Sequence, residues 1–154
     1  MKHLWKLAAT IIGPIALTTV AASAVIAQEA GQPAHAHEQA APRETITTAF
    51  NRPIPNIPGK SIVGLIVSYP PGGKTPAHIH PKSAFVNGFV VSGAIRSKVD
   101  DGETKVFKAG ESWSERPGAH HPISDNASET EPATLLAIFV VDTNDKDLVT
   151  LVDK

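Results

Sequence analysis

Two histidines one residue apart are the residues in this sequence with the clearest chemistry. His78 and His80 lie within Pro70–Gly93, which reads PPGGKTPAHIHPKSAFVNGFVVSG. Side chains of a β-strand alternate between its two faces, so a strand here would point both imidazoles the same way. Imidazole nitrogens bind Fe, Mn, Ni, Cu and Zn, and the pair therefore predicts half of a site for one divalent metal ion.

A third imidazole is available further along the chain, in the segment 116–126, which reads RPGAHHPISDN. Its two histidines, His120 and His121, are adjacent and so point to opposite faces of a strand, and one of them would join the first pair. Because the chain has no cysteine, the ligands must be nitrogen or oxygen atoms. Three neutral imidazoles would leave the ion its full charge and open positions for water or substrate.

Carboxylates near the second histidine segment are weak candidates for a catalytic role. Glu111 and Glu115 lie on one face of a predicted short strand before Pro117. One of them would serve as a fourth ligand or a general base if it turned inward. The alternative is that both are solvated carboxylates at the edge of a sheet. Trp113 shares their face and is predicted to form part of the core or of the barrel wall.

The elements that must position these residues are predicted to be β-strands. Ser61–Tyr69 and Ala133–Asp142 are long apolar strands, and Asp100-Asp101-Gly102 is a hairpin turn signal. A proline-rich connector, residues 52–59, is predicted to lie outside any sheet. No segment after the first 27 residues holds a helical period for three turns, so the sequence predicts an all-β sandwich or barrel.

The first 27 residues have the pattern of a signal peptide. A basic start is followed by an apolar run and by small residues before a cleavage site after Ala27, with Ala24 as the alternative. A transmembrane anchor is the competing interpretation, but Gly13-Pro14 interrupts the run. The prediction is a periplasmic or secreted protein with no membrane contact after signal cleavage.

Domain boundaries follow from these patterns. Residues 1–27 form the predicted signal peptide, residues 28–43 a flexible lead rich in Ala, Gln and Pro, and residues 44–154 one β-barrel domain. The lead contains His35-Ala36-His37, which we interpret as incidental. The net charge of −1 leaves no basic patch for phosphates, so we expect no nucleic-acid partner.

The two histidine segments resemble the two motifs of the cupin superfamily. Residues that match the first motif are Gly72 or Gly73, His78, His80 and Gly93, and residues that match the second are Gly110, Gly118, His121 and Asn126. The resemblance implies a jelly-roll β-barrel with one metal ion inside. It favours His121 as the third ligand, because the family's histidine lies three residues after the glycine that Gly118 matches, and it leaves His120 as the alternative.

The sequence departs from the family pattern at one ligand. Ala84 and Phe85 stand where the first motif has its glutamate, and neither can bind a metal. The interval from His80 to Gly93 is also a residue or two long, which predicts a β-bulge.

Two functions of different class are consistent with these residues. The resemblance implies a small metal-dependent enzyme of the oxygenase, isomerase or lyase type that acts on a small organic substrate. The alternative is a non-catalytic barrel that binds a small ligand or a metal. An open cavity beside the histidines would favour catalysis, whereas inward packing of Phe85, Phe89 and Trp113 would leave no room for substrate. The family resemblance also implies a homodimer formed through outer strands.

Overall fold

The computed structural model describes residues 43–152, so the predicted signal peptide and nearly all of the predicted lead lie outside the described residues. The described chain contains strands and no helix, and thus no helix that could cross a membrane. Its strands are β1 (Thr45–Pro53), β2 (Lys60–Tyr69), β3 (Lys74–Thr75), β4 (His78–Ile79), β5 (Phe85–Ser92), β6 (Ala94–Lys98), β7 (Lys105–Lys108), β8 (Ser112–Glu115), β9 (His120–His121), β10 (Ile123–Asn126), β11 (Ala133–Asp142) and β12 (Thr150–Leu151).

The largest sheet has five strands in the order β1-β2-β11-β5-β8, and every pairing in it is antiparallel. Along β11 buried and half-buried residues alternate, as a strand with one face on a core requires. Its buried side chains, among them Phe139 and Val141, pack with Val63 and Val86 from the neighbouring strands. This sheet supplies one wall of the barrel.

Two smaller sheets complete the barrel, with strand orders β3-β10-β6-β7 and β12-β4-β9. The strands of the three-stranded sheet are only two residues long. Prolines explain this length, because Pro76 and Pro81 flank β4 and Pro122 follows β9. Proline has no backbone N–H and cannot continue a ladder of hydrogen bonds.

The all-β prediction is confirmed, and the structure refines two of its details. The connector 52–59 was predicted to lie outside any sheet, but β1 continues through Arg52 and Pro53. That prediction is wrong at these two residues because β1 is an edge strand, where a proline can face away from the ladder. The predicted bulge is present, since Thr134 pairs with Ser92 and Leu135 with Val90, which leaves Val91 unpaired.

Candidate metal centre

The three-stranded sheet brings three histidines together inside the barrel. His78 on β4 pairs directly with His121 on β9, and His80 follows β4 on the same face as His78. The three side chains are buried, and one nitrogen from each lies within 4.8 Å of the others. The structure therefore groups His78 with His80, as strand alternation predicts, and adds His121, which the cupin resemblance favours. The three together could hold one metal ion.

His120 lies outside this group. It pairs with Ile79 across the sheet, on the face opposite to the three histidines, and it is half-buried. Its backbone N–H donates to Asp100 Oδ1 at 3.0 Å. The strict alternation of strand side chains thus separates the two adjacent histidines.

Hydrogen bonds fix which nitrogen of His78 and of His80 faces the centre. His78 Nδ1 lies 2.8 Å from the carbonyl of Pro76, and His80 Nδ1 lies 3.0 Å from the carbonyl of Leu148. A carbonyl oxygen only accepts, so each Nδ1 carries the proton and donates it. In the neutral rings Nε2 then holds the lone pair, which is the arrangement that a metal ligand needs.

His121 differs because both of its nitrogens already have partners. Nε2 lies 2.9 Å from Ser97 Oγ, and Nδ1 lies 3.2 Å from Glu115 Oε1. A metal ion bound to His121 would replace one of these two partners.

Glu115 enters the centre from the neighbouring five-stranded sheet. Its side chain is 2% exposed, and its Oε2 lies 3.0 Å from His80 Nε2. Its Oε1 accepts a hydrogen bond from Trp113 Nε1 at 3.0 Å. Glu111, the other carboxylate candidate, is exposed and accepts from the Lys108 backbone N–H at 2.6 Å. The structure therefore brings Glu115 to the histidines and leaves Glu111 outside.

Trp113 reaches the barrel wall because the strand beside it has a glycine. A Cβ atom on Gly88 would come within 2.6 Å of Trp113 Cζ2, so any larger residue would displace the indole. The ring also packs against Phe107, at 4.8 Å between centroids. Gly88 and Phe107 hold the indole in the position from which it donates to Glu115.

A carboxylate from β8, that of Glu115, lies beside the histidines, whereas the first cupin-like motif contains none. Ala84, at the motif position, is fully buried and has no ligand atom. His80 Nε2 and Glu115 Oε2 approach to 3.0 Å, but their alignment is not that of a hydrogen bond, and each is a buried atom without a hydrogen-bond partner. Two buried ligand-type atoms this close together and without hydrogen-bond partners are expected of ligands that share a cation. The residues present therefore fit a divalent metal ion.

The pKa values of the cluster also favour a cation. Burial lowers the pKa of His78, and burial with repulsion from the other histidines lowers that of His121 to about 4. Burial opposes ionisation of Glu115, but His80, His121 and Trp113 outweigh it and lower the carboxyl pKa. Burial likewise opposes protonation of His80, but Glu115 and the Leu148 carbonyl raise its pKa. His80 therefore takes up a proton more readily than a free imidazole, and a metal ion bound at its Nε2 would displace that proton.

An open cavity of about 270 Å³ reaches the centre. Trp113 forms part of its wall, together with Phe139 and Leu135. Phe85 and Phe89 point to the outside of the barrel, where they are 47% and 38% exposed. The cavity therefore stays open beside the histidines, which is the outcome that favours catalysis over a packed barrel.

Comparison with known proteins agrees with this architecture. Residues 65–139 match the family model described as Cupin domain. A double-stranded β-helix domain protein from Klebsiella pneumoniae is similar in structure, with a TM-score of 0.54, 19% identity, and coverage of 73% of this chain and 86% of that one. A search of curated protein sequences found no match. The chain belongs to the cupin superfamily.

Two enzymes share the fold at low identity. Oxalate oxidase in complex with glycolate has a TM-score of 0.54 and 22% identity, with 71% of this chain and 55% of that chain covered. DMSP lyase DddQ from Ruegeria pomeroyi has a TM-score of 0.55 and 16% identity, with 71% and 51% covered. The chain spans about half the length of these two enzymes. They show that the predicted cupin-like jelly-roll fold is correct.

Proposed function

We propose that this chain is an exported metal-dependent cupin enzyme that binds one divalent ion through His78, His80 and His121. The observation that carries the proposal is Glu115, a buried carboxylate whose Oε2 lies 3.0 Å from His80 Nε2 beside an open cavity. Export is proposed from the signal-like pattern of residues 1–27.

A bound divalent ion would act as a Lewis acid toward an oxygen of the substrate. The chain's own residues have separate parts in this proposal. The carbonyls of Pro76 and Leu148 hold His78 and His80 in the tautomer that presents Nε2. Glu115 is either a fourth ligand or the group that takes a proton from substrate, and its lowered pKa keeps it ionised, as both roles require.

The geometry around Glu115 supports the role of proton acceptor. Its Oε1 receives the indole N–H of Trp113, which fixes the carboxylate, while Oε2 has no hydrogen-bond donor among the described residues. A carboxylate held at one oxygen and free at the other can receive a proton without reorganising. The proposed reaction type is that of an oxygenase, isomerase or lyase on a small organic molecule, as the cupin resemblance implies.

The test is the metal content of the mature protein, purified without chelator or affinity tag. We expect near-stoichiometric Fe, Mn, Ni, Cu or Zn in the wild type, and its loss in His78→Ala and His121→Ala. His120→Ala is the matched control, because it removes the same side chain from the opposite face and should keep the metal. Glu115→Gln against Glu111→Gln makes the same comparison for the carboxylates, with turnover as the readout. A wild type that stays metal-free after reconstitution would refute the enzyme proposal.

A non-catalytic barrel that stores a metal or small ligand is the second candidate. Ala84 favours it, because the cupin motif has a carboxylate at that position. The Glu115 variant separates the candidates. If metal is bound and no reaction with any small organic substrate depends on Glu115, the container function is the better account.

A further inference from the structure

The cavity has a second unsatisfied carboxylate, which does not belong to the histidine cluster. The side chain of Glu44, just before β1, is 4% exposed and lines the cavity. Its Oε1 lies 3.6 Å from Arg43 Nη2, and its Oε2 is buried without a hydrogen-bond partner. Leaving a buried carboxylate oxygen unpaired is costly, so this atom calls for a donor that the described chain does not provide.

Among the described residues, the buried side-chain nitrogen and oxygen atoms that lack a hydrogen-bond partner are concentrated at this cavity. They are Glu44 Oε2, His80 Nε2, Glu115 Oε2 and His120 Nε2, and the first three belong to residues that line it. Other polar groups there are satisfied, since the Tyr69 hydroxyl contacts Thr75 Oγ1 at 2.9 Å and Ser124 Oγ at 2.8 Å. Glu44 is therefore the polar group outside the centre that a ligand would pair with.

Apart from Glu44 and the histidine cluster, most of the residues that line the cavity are apolar. Leu65, Val67, Leu135 and Phe139 line them, and Ile46 and Leu151 line the cavity while remaining about half exposed, which places these two at its opening. An apolar cavity of about 150 Å³ accommodates benzene. The 270 Å³ here would hold a single substituted ring or an alkyl chain of similar size.

The charges of the cavity disfavour a second negative group on the ligand. Glu44 and Glu115 contribute two carboxylates, while Arg43 contributes the one cationic side chain of fixed charge among the described residues that line the cavity, and it is 64% exposed. A divalent ion at the histidines would attract one anionic oxygen, but the carboxylate of Glu44 would remain on the cavity wall. A carboxylate placed there would meet Glu44 in a buried setting, where like charges repel strongly.

We propose that the cavity takes a small molecule with an apolar body that places a hydroxyl or ammonium group on Glu44 and an oxygen-bearing end toward the histidine cluster. Glu44 is thereby a specificity residue that selects donors and rejects dicarboxylates. The oxygen-bearing end rests on the proposed metal site, whereas selection by Glu44 does not require a metal and can be measured separately.

The test uses three probes that share a benzoate, whose carboxylate can face the histidine cluster, and that differ in the group at the para position. That group is an ammonium in para-(aminomethyl)benzoate, a hydroxyl in para-(hydroxymethyl)benzoate and a second carboxylate in terephthalate. Binding is followed by the fluorescence of Trp113, which lines the cavity. We expect the first two probes to bind at least about tenfold more tightly than terephthalate, because a like-charge contact of ~1.4 kcal/mol or more gives that ratio.

Glu44→Gln should reduce the preference for para-(aminomethyl)benzoate over terephthalate to less than about threefold, because the repulsive charge is removed while the side-chain shape is kept. Glu111→Gln, which changes an exposed glutamate outside the cavity, should leave it unchanged. Equal binding of the three probes by the wild type, no measurable binding of any of them, or a preference that survives Glu44→Gln would each overturn the proposal.

Titrations with metal-loaded and chelator-treated protein separate this proposal from the metal site. If the protein takes up no metal but keeps the Glu44-dependent preference, the proposed enzyme fails and the Glu44 inference stands. If it binds metal and shows no preference, the Glu44 inference alone fails.

Discussion

The five-stranded sheet and the three-stranded sheet of this barrel are built differently. In the first, β2 and β11 are ten residues long and pair along their whole length, with large apolar side chains on the inner face. In the second, β4, β9 and β12 have two residues each and carry or support the histidines. The long sheet buries a large apolar surface, which stabilises the fold. The short sheet buries little, and what it contributes is mainly the histidine side chains. Stability and metal binding should therefore respond to different substitutions.

The largest effect that would test this contrast is loss of a core aromatic from the long sheet. Phe139→Ala should lower the free energy of unfolding by about 3–5 kcal/mol, because the ring is fully buried on β11. Phe85→Ala is the matched control on the neighbouring strand, where the ring faces outward. It should cost less than about 1 kcal/mol. Urea unfolding of the metal-free protein measures both, and similar losses in the two variants would contradict the contrast.

Acid should destabilise the metal-free protein through the histidines of the short sheet. The pKa of His121 is lowered from 6.5 to about 4, and that of His78 is lowered too, so both bind fewer protons folded than unfolded. Their contribution to the free energy of unfolding is complete above pH 6.5 and is lost as the pH falls toward 4. For His121 it is on the order of 3 kcal/mol.

The pKa of His80 is raised on folding, so its effect on the free energy of unfolding has the opposite dependence on pH. The stabilisation from His80 is present below the pKa of the unfolded state and is lost as the pH rises through the pKa of the folded state. The pKa of Glu115 is lowered, so its contribution declines only below about 4.5. Chemical unfolding between pH 7 and 4.5 should show a net fall in the free energy of unfolding. His121→Gln should reduce the slope of that free energy against pH. A slope unchanged by that variant would contradict the assignment.

A smaller effect is expected from the end of the chain. The Leu148 carbonyl orients His80, and β12 pairs with β4. Truncation after Asp147 removes both, and we expect metal affinity to fall about 10–100-fold, as when a ligand loses the partner that orients it. Unfolding of the metal-free protein should change by less than about 2 kcal/mol. Competition with a fluorescent chelator measures the affinity, and an unchanged value would show that His80 needs no such support.

The sequence was most informative where the period of a strand decides the outcome. Alternation alone grouped His78 with His80 and separated His120 from His121. It could not choose between Glu111 and Glu115, because the end of the short strand sets which of them turns inward. The outward direction of Phe85 and Phe89 was equally open, since a bulge nearby made the facing ambiguous until it could be placed at Val91.

Other features gave no usable pattern in the sequence. Strands of two residues, such as β4 and β9, are too short to show a period, and only their prolines mark them. Glu44 precedes β1 and was predicted only as the start of the domain. Its burial depends on how segments distant in sequence pack around the cavity, and a sequence pattern does not show this. Signal cleavage, export and dimer formation concern residues or partners beyond the described chain and stay predictions.

The pairing of β12 with β4 also bears on the order in which the barrel folds. The carbonyl that orients His80 belongs to Leu148, which lies 68 residues further along the chain. A contact between residues so far apart in sequence requires closure of a long loop, whose entropy cost must be met before the contact stabilises anything. We therefore expect the His80 ring to acquire its fixed orientation late in folding, after the strands of the long sheet have paired.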